Sequence, residues 1–202
     1  MQEEIPFPLE ILYDFPIIKH LGKSRQGVFF KEVCMKFLVL YSSRTGNTEK
    51  AARAIAGALS ADIAPVSKAP ADLTAYSAVF LGFWAFRRGA DPQAQAMLSQ
   101  IHRPAALFAT AGAYPDSDAA KRYLANAAAL LPEDAPYLGG FLCQGRVHSF
   151  HTGRRSAHTE QVHPLTPERR ARLEEAEHHP DEEDLKKAAD FAKAIAARLQ
   201  EE

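Results

Sequence analysis

The strongest constraint on the fold of this chain is an alternation that begins at Lys36. Short apolar runs alternate with stretches whose apolar residues fall at helical spacing. Phe37-Leu38-Val39-Leu40-Tyr41 is short, partly β-branched or aromatic, and closed by polar turn residues, which predicts a buried strand. Residues 48–59 then place Ala51, Ala52, Ile55, Ala56 and Leu59 on one helical face. A second strand is expected over 63–66, at a sheet edge because of Pro65. Residues 78–83 are apolar on both faces, as a parallel sheet requires. A helix over 92–101 turns Met97, Leu98 and Ile101 inward. A fourth strand over 105–110, an alanine-rich helix over 117–131 and a fifth strand over 137–144 follow. The last helix, 181–199, buries Leu185, Ala188, Ala192, Ile195 and Leu199. Such alternation with short connections predicts an α/β fold, a doubly wound five-stranded parallel sheet in the order 2-1-3-4-5, rather than an eight-stranded barrel.

Composition narrows the function classes. A formal net charge of −1 removes the electrostatic case for nucleic-acid or anionic-membrane binding. The longest apolar run, residues 78–86, is less than half of the ~20 residues a spanning helix needs, so no membrane span is expected. Cys34 and Cys143 form no paired spacing and no metal signature, and a reducing, cytoplasmic setting is expected. Residues 1–34 follow no sustained period, and Lys31-Glu32-Val33 can be encoded by a purine-rich bacterial ribosome-binding sequence just before Met35. The expectation is a translated leader ahead of a domain over 35–202, with a genuine N-terminal arm as the alternative. Within that domain, 145–179 is long for a connection. Thr166-Pro167 supplies a cap and a first-turn proline for a short helix through Ala176, folded over the carboxyl edge of the sheet.

The most informative stretch is Ser42-Ser43-Arg44-Thr45-Gly46-Asn47-Thr48, between the first strand and the first helix. It collects hydroxyls, an amide and the backbone N–H groups of a helix N-terminus, which together suit a phosphate monoester. Gly46 lets the backbone close around an anion without a Cβ in the way. The loop lies at the carboxyl end of a parallel strand, where open α/β sheets bind ligands. Neither the nucleoside-triphosphate loop nor the three-glycine dinucleotide fingerprint is present. A plain capping turn would carry similar residues.

Ser43-x-Thr45-Gly46-Asn47-Thr48 after a first strand resembles the FMN-phosphate loop of flavodoxins, and the similarity extends over most of 35–202. The resemblance implies FMN as cofactor. Ser43, Thr45, Asn47 and Thr48 would be hydroxyl or amide ligands of its phosphate, and Arg44 and Gly46 would offer backbone N–H groups. The loop after the third strand, with Phe83, Trp84, Ala85 and Phe86, would hold the ring, with Trp84 as first stacking candidate and Phe86 as reserve. The loop after the fourth strand, with Gly112 and Tyr114, would cover its other face. The chain departs from many flavodoxins in reading Gly-Phe-Trp where they read Ser-Pro-Thr. Residues 36–164 carry 13 basic against 9 acidic side chains, where flavodoxins are often acidic near the flavin.

Other constellations carry less. His148, His151, His158 and His163 match no zinc spacing, so no metal site is expected. Cys143 reads as a buried, inert thiol. Asp181-Glu182-Glu183-Asp184 complements a helix dipole. No catalytic nucleophile–base pair is evident. The leading expectation is an FMN-binding electron carrier that donates to a redox partner protein. An FMN-dependent NAD(P)H oxidoreductase acting on a quinone or other small substrate is the first alternative, and a flavin-free protein-binding scaffold is the second. The carrier is favoured because a second phosphate motif is missing.

Overall fold

In this computed structural model, which describes residues 35–147 and 164–201, the first strand is the pivot of the sheet. β1 (Phe37–Tyr41) pairs in parallel with β2 (Asp62–Pro65) on one side and with β3 (Ala78–Phe86) on the other. β3 then pairs with β5 (Ala105–Ala111) and β5 with β6 (Tyr137–Gln144), all in parallel. The order β2-β1-β3-β5-β6 is the expected doubly wound one. Its numbering is displaced by β4 (Gly89–Ala90), two residues that pair antiparallel with the end of β3. The chain leaves β1 in one direction for β2 and crosses back for β3. That reversal opens a crevice at the carboxyl ends of β1 and β3, the place where such sheets take ligands.

Helices cover both faces. α1 (Asn47–Leu59) and α5 (Glu182–Glu201) pack side by side on one face. Beneath them Phe80 meets Phe37 and Phe191 edge-on at 6.0 and 6.4 Å, and Phe141 stacks on Phe191 at 5.9 Å. The opposite core joins Leu38, Leu40, Leu81, Phe83, Leu107 and Leu142 to residues of α2 (Pro92–Leu98) and α3 (Asp118–Ala128). α4 (Pro167–Glu175) precedes α5. Full burial of each large side chain here contributes roughly 1.5–3 kcal/mol. Packing is tightest where Gly82 meets Phe108, because a Cβ on Gly82 would lie 2.2 Å from the ring.

Several boundaries differ from those read in the sequence. β3 does not stop at Phe83: it runs to Phe86 and folds back through β4, so the expected aromatic loop is a hairpin whose backbone groups are paired. α2 ends at Leu98, yet Ile101 stays fully buried. α3 starts at Asp118 because Ser117 is its cap, with Ser117 Oγ accepting from the Ala120 N–H. β2 ends at Pro65, and Val66–Lys68 form a turn of 3₁₀-helix. In α5, Ala188, Ala192 and Ile195 are buried as expected, while Leu185 and Leu199 are only half-buried. Residues 1–34, and His148, His151, His158 and His163 with Arg154 and Arg155, lie outside the described residues.

Candidate functional site

The loop after β1 is built from both ends. The Ser42 N–H donates to the Gly82 carbonyl at 2.9 Å, fixing the start of the loop to β3. Its hydroxyl donates to Asp91 Oδ1 at 2.8 Å, and both residues are buried. The same Oδ1 accepts from the N–H groups of Gln93 and Ala94, so Asp91 caps α2, with Pro92 in the first turn. At the other end Gly46 takes a left-handed φ of 87° as the N-cap of α1, and no side chain caps the helix. The Gly46 N–H donates to Ser43 Oγ at 3.1 Å, which leaves the Ser43 hydroxyl proton available to a ligand. The N–H groups of Arg44, Thr45, Asn47 and Thr48 meet no acceptor among the described residues. That is an open set of donors at the positive end of a helix dipole.

The side chains divide into those that face outward and those that hold the loop. Thr48 is buried, and its hydroxyl is paired with that of Thr110 at 2.9 Å. Asn47 donates through Nδ2 to the Arg146 carbonyl at 3.1 Å. A Cβ on Gly145 would come within 2.9 Å of that same Nδ2, so a side chain there would have to displace the Asn47 amide. Ser43 and Thr45 are half-buried and keep hydroxyls for a ligand. The donor set is therefore narrower than the sequence suggests: two hydroxyls and a ring of backbone N–H groups, with Asn47 and Thr48 acting as braces. It still suits a phosphate monoester, which needs several short-range donors and one helix terminus.

Beside the loop lies a cavity of about 340 Å³ lined by Ser42, Ser43, Arg44, Trp84, Asp91 and Gln93, among others. A larger one of about 410 Å³, between the segment after β2 and α2, is lined by Val66, Leu73, Met97 and neutral neighbours. It contains no ionisable side chain, so the chemistry favours the smaller. Asp91 Oδ2 and Gln144 Nε2 are buried without a partner among the described residues. Trp84 and Phe86 are half-buried and meet edge to face at 5.3 Å. The Arg44 guanidinium lies over Trp84 at 5.7 Å and that of Arg87 over Phe86 at 5.3 Å. Ala85 is half-buried between them in the hairpin. Phe83 corrects the sequence reading: its ring is wholly inside the core, so it presents only main chain to this edge.

The loop after β5 is held by α4. The Gly112 carbonyl accepts from Arg172 Nη1, and a Cβ on Gly112 would lie 2.5 Å from Val147 and 3.1 Å from Leu173. Tyr114 is 43% exposed, and its hydroxyl donates to Glu175 Oε2 at 2.9 Å, so it is tied to α4. That bond, more than burial, raises the pKa of the phenol. Just beyond, Asp181 and Asp184 accept from each other's N–H groups at 2.9 and 3.1 Å, a reciprocal cap on α5. Asp184 is buried and also bonds His179 Nδ1, and the Arg146 N–H donates to the His179 carbonyl. The acidic run is thus a specific cap as well as a dipole complement. Sequence reasoning missed Asp91, Thr110 and the pair His179–Asp184. Asp91-Pro92 did carry the signature of a helix cap; its bond to Ser42, 49 residues away, had none.

A doubly wound sheet with an uncapped, hydroxyl-bearing loop after its first strand defines the flavodoxin class of fold. The chain belongs to the flavodoxin domain family, which matches residues 38–193. It is 34% identical over 171 residues to the flavodoxin-like domain-containing protein BilS of Clostridioides difficile strain CD3, covering 79% of this chain and 95% of that one. Flavodoxin 2 from Bacillus cereus superposes with a TM-score of 0.52 at 22% identity, over 81% of this chain and 99% of that one. A flavodoxin from the domain Archaea gives 0.50 at 16% identity, over 82% and 99%. The family is one of flavin-binding, electron-transfer and oxidoreductase proteins, and no helix among the described residues is long and apolar enough to cross a membrane.

Proposed function

We propose that the chain is an FMN-binding electron carrier that passes electrons to a partner protein. The observation that carries this reading is the loop of Ser43–Thr48: a helix N-terminus without a side-chain cap, a left-handed Gly46, and four N–H groups without acceptors among the described residues, beside the half-buried Ser43 and Thr45 hydroxyls. When bound, FMN supplies one- or two-electron chemistry; the chain supplies its binding, orientation and surroundings. Ser43 and Thr45 with the N–H groups of Arg44, Thr45, Asn47 and Thr48 would hold the phosphate. Thr110 and the Arg146 carbonyl hold Thr48 and Asn47 in place. Trp84, with Phe86 behind it, offers an aromatic face for a flat ring, and the main chain of Phe83, Ala85 and Gly112 lines the approach.

A second reading is an FMN-dependent NAD(P)H oxidoreductase acting on a small substrate. What favours it is α4, which Arg172 and Glu175 fasten over Gly112 and Tyr114, narrowing the approach to that edge. The carrier stands first because the described residues contain one helix N-terminus of this kind at the carboxyl edge after β1, and one nucleotide is what it fits. The test is a pair of titrations followed by Trp84 fluorescence, the chain's single tryptophan. FMN should bind with quenching, and riboflavin, lacking the phosphate, should bind at least a hundredfold more weakly, roughly two charge-assisted hydrogen bonds' worth. Equal affinity for the two flavins would refute the role of the loop. Rapid NAD(P)H turnover with a quinone and no partner protein would establish the second reading instead.

A further inference from the structure

We propose that the β3–β4 hairpin, together with Arg44, is a docking face for an acidic redox protein; this rests on the electron-carrier reading above. Arg44, Arg87 and Arg88 are all exposed, and none of them is paired with a carboxylate among the described residues. Ion pairs form elsewhere, on Lys36, Arg53, Lys186 and Lys187. The carboxylate closest in sequence to Arg87 and Arg88, Asp91, is buried and turned to Ser42 and the amides of α2, and the one closest to Arg44, Glu49, is paired with Arg53. Three cations thus stand unneutralised on one edge.

These cations are also held in place. Arg44 and Arg87 lie over the rings of Trp84 and Phe86, which limits their freedom and leaves aromatic surface between them. Arg87 adopts φ +54°, a left-handed conformation uncommon for a non-glycine residue. The turn is kept by the pairs Ala85–Ala90 and Phe86–Gly89 and by Asn126 Nδ2, which donates to the Arg88 carbonyl at 2.7 Å. A two-residue hairpin asks for such a conformation at its turn, so the pairing of β3 with β4 fixes where Arg87 and Arg88 are presented. Arginine beside aromatic rings is the residue mixture of interface hot spots, and unpaired arginines there select a partner rich in Asp and Glu. Because the formal net charge of the chain is only −1, long-range steering must come from local patches like this one.

The experiment exploits one acceptor with two charges: mitochondrial cytochrome c, which is basic, and its succinylated form, in which lysines become carboxylates around the same haem. The FMN-loaded chain is photoreduced and mixed with each in a stopped-flow instrument from low to high salt. The rate constant with the succinylated form should fall about tenfold as salt rises, and that with the native form should stay level or rise. Arg87→Gln with Arg88→Gln should abolish the fall, and Arg87→Lys with Arg88→Lys should retain it. Calorimetric titration of the unloaded chain with succinylated cytochrome c at low salt reads docking without the flavin. A native acceptor that is faster at low salt, or a salt slope unchanged in the double glutamine variant, would overturn the proposal. A chain that takes up no FMN would defeat the carrier reading, while the titration would still decide the docking face.

Discussion

Asp91 offers a sharp test of how the loop after β1 is held, because its two oxygens pull in opposite directions. Oδ1 accepts three hydrogen bonds, from Ser42 Oγ and the N–H groups of Gln93 and Ala94, whereas Oδ2 is buried without a partner among the described residues. Asp91→Ala removes a helix cap, worth about 1 kcal/mol, and strands the buried Ser42 hydroxyl at a further ~1–3 kcal/mol. Against this, it relieves a desolvated carboxylate with an orphaned oxygen, which returns part of the loss. The net expectation is destabilisation of about 2 kcal/mol, a fall in Tm of roughly 4–8 °C for a chain of this size. Asp91→Asn keeps an acceptor for Ser42 and α2 and should lose about 1 kcal/mol or less. Ser42 anchors the loop, so FMN should also bind about tenfold more weakly to the alanine variant than to the asparagine one. Thermal denaturation followed by circular dichroism, with flavin titrations alongside, measures both. An Asp91→Ala chain as stable as the parent would mean that desolvation outweighs all three hydrogen bonds, and the tie would not be what holds the loop.

Two further expectations concern the core. Gly82→Ala drives a methyl into the Phe108 ring, which it would meet at 2.2 Å; overpacking should exceed the backbone gain and cost about 2 kcal/mol. Phe108→Leu in the same chain should recover part of this, and a double-mutant cycle without coupling would show that the ring moves freely. Burial first, and then the carboxylate of Asp184, push the Cys143 thiol far above its ordinary pKa. The folded chain keeps that proton while the unfolded chain loses it above ~8.5, so this contribution to stability is complete below that pH and is lost progressively as pH rises beyond it. Urea unfolding at a series of pH values, in the parent and in Cys143→Ala, should show the alkaline decline shrink in the variant; an unchanged decline would place its origin elsewhere.

The sheet order was legible because each strand of the alternating pattern carries its own signal. Leu38, Val39 and Leu40 are apolar on both faces, and the two-sided burial of a parallel strand leaves that imprint. Ser43–Thr48 stood out for a similar reason, since its hydroxyls, amide and glycine are consecutive between one strand and one helix. What was not legible is non-local. Ser42 to Asp91, Thr48 to Thr110 and Asn47 to the Arg146 carbonyl join residues 49, 62 and 99 positions apart, and no periodicity encodes them. The hairpin was missed because Gly82-Phe83-Trp84-Ala85-Phe86 reads equally as a strand end or an aromatic loop; antiparallel pairing with Gly89 and Ala90 decides it. Phe83 and Trp84 are neighbours, and strand alternation sends the first into the core and the second toward the crevice.

The uncapped start of α1 has a consequence for how the chain behaves when nothing is bound. A helix whose first N–H groups lack acceptors holds its opening turn with fewer bonds than any later one, and such a turn belongs to the low end of the local-stability range. An anion that fills the loop closes those bonds and binds only the folded form, so it adds RT ln(1 + [L]/Kd) to the unfolding free energy, about 2.7 kcal/mol at a hundred times Kd. On the proposed reading, part of the stability of this fold lies outside the polypeptide, in the concentration of whatever occupies the loop. Measured stabilities will differ between phosphate and non-phosphate buffers for that reason, and the amides of the first turn of α1 should be the ones whose hydrogen exchange slows most when the loop is filled.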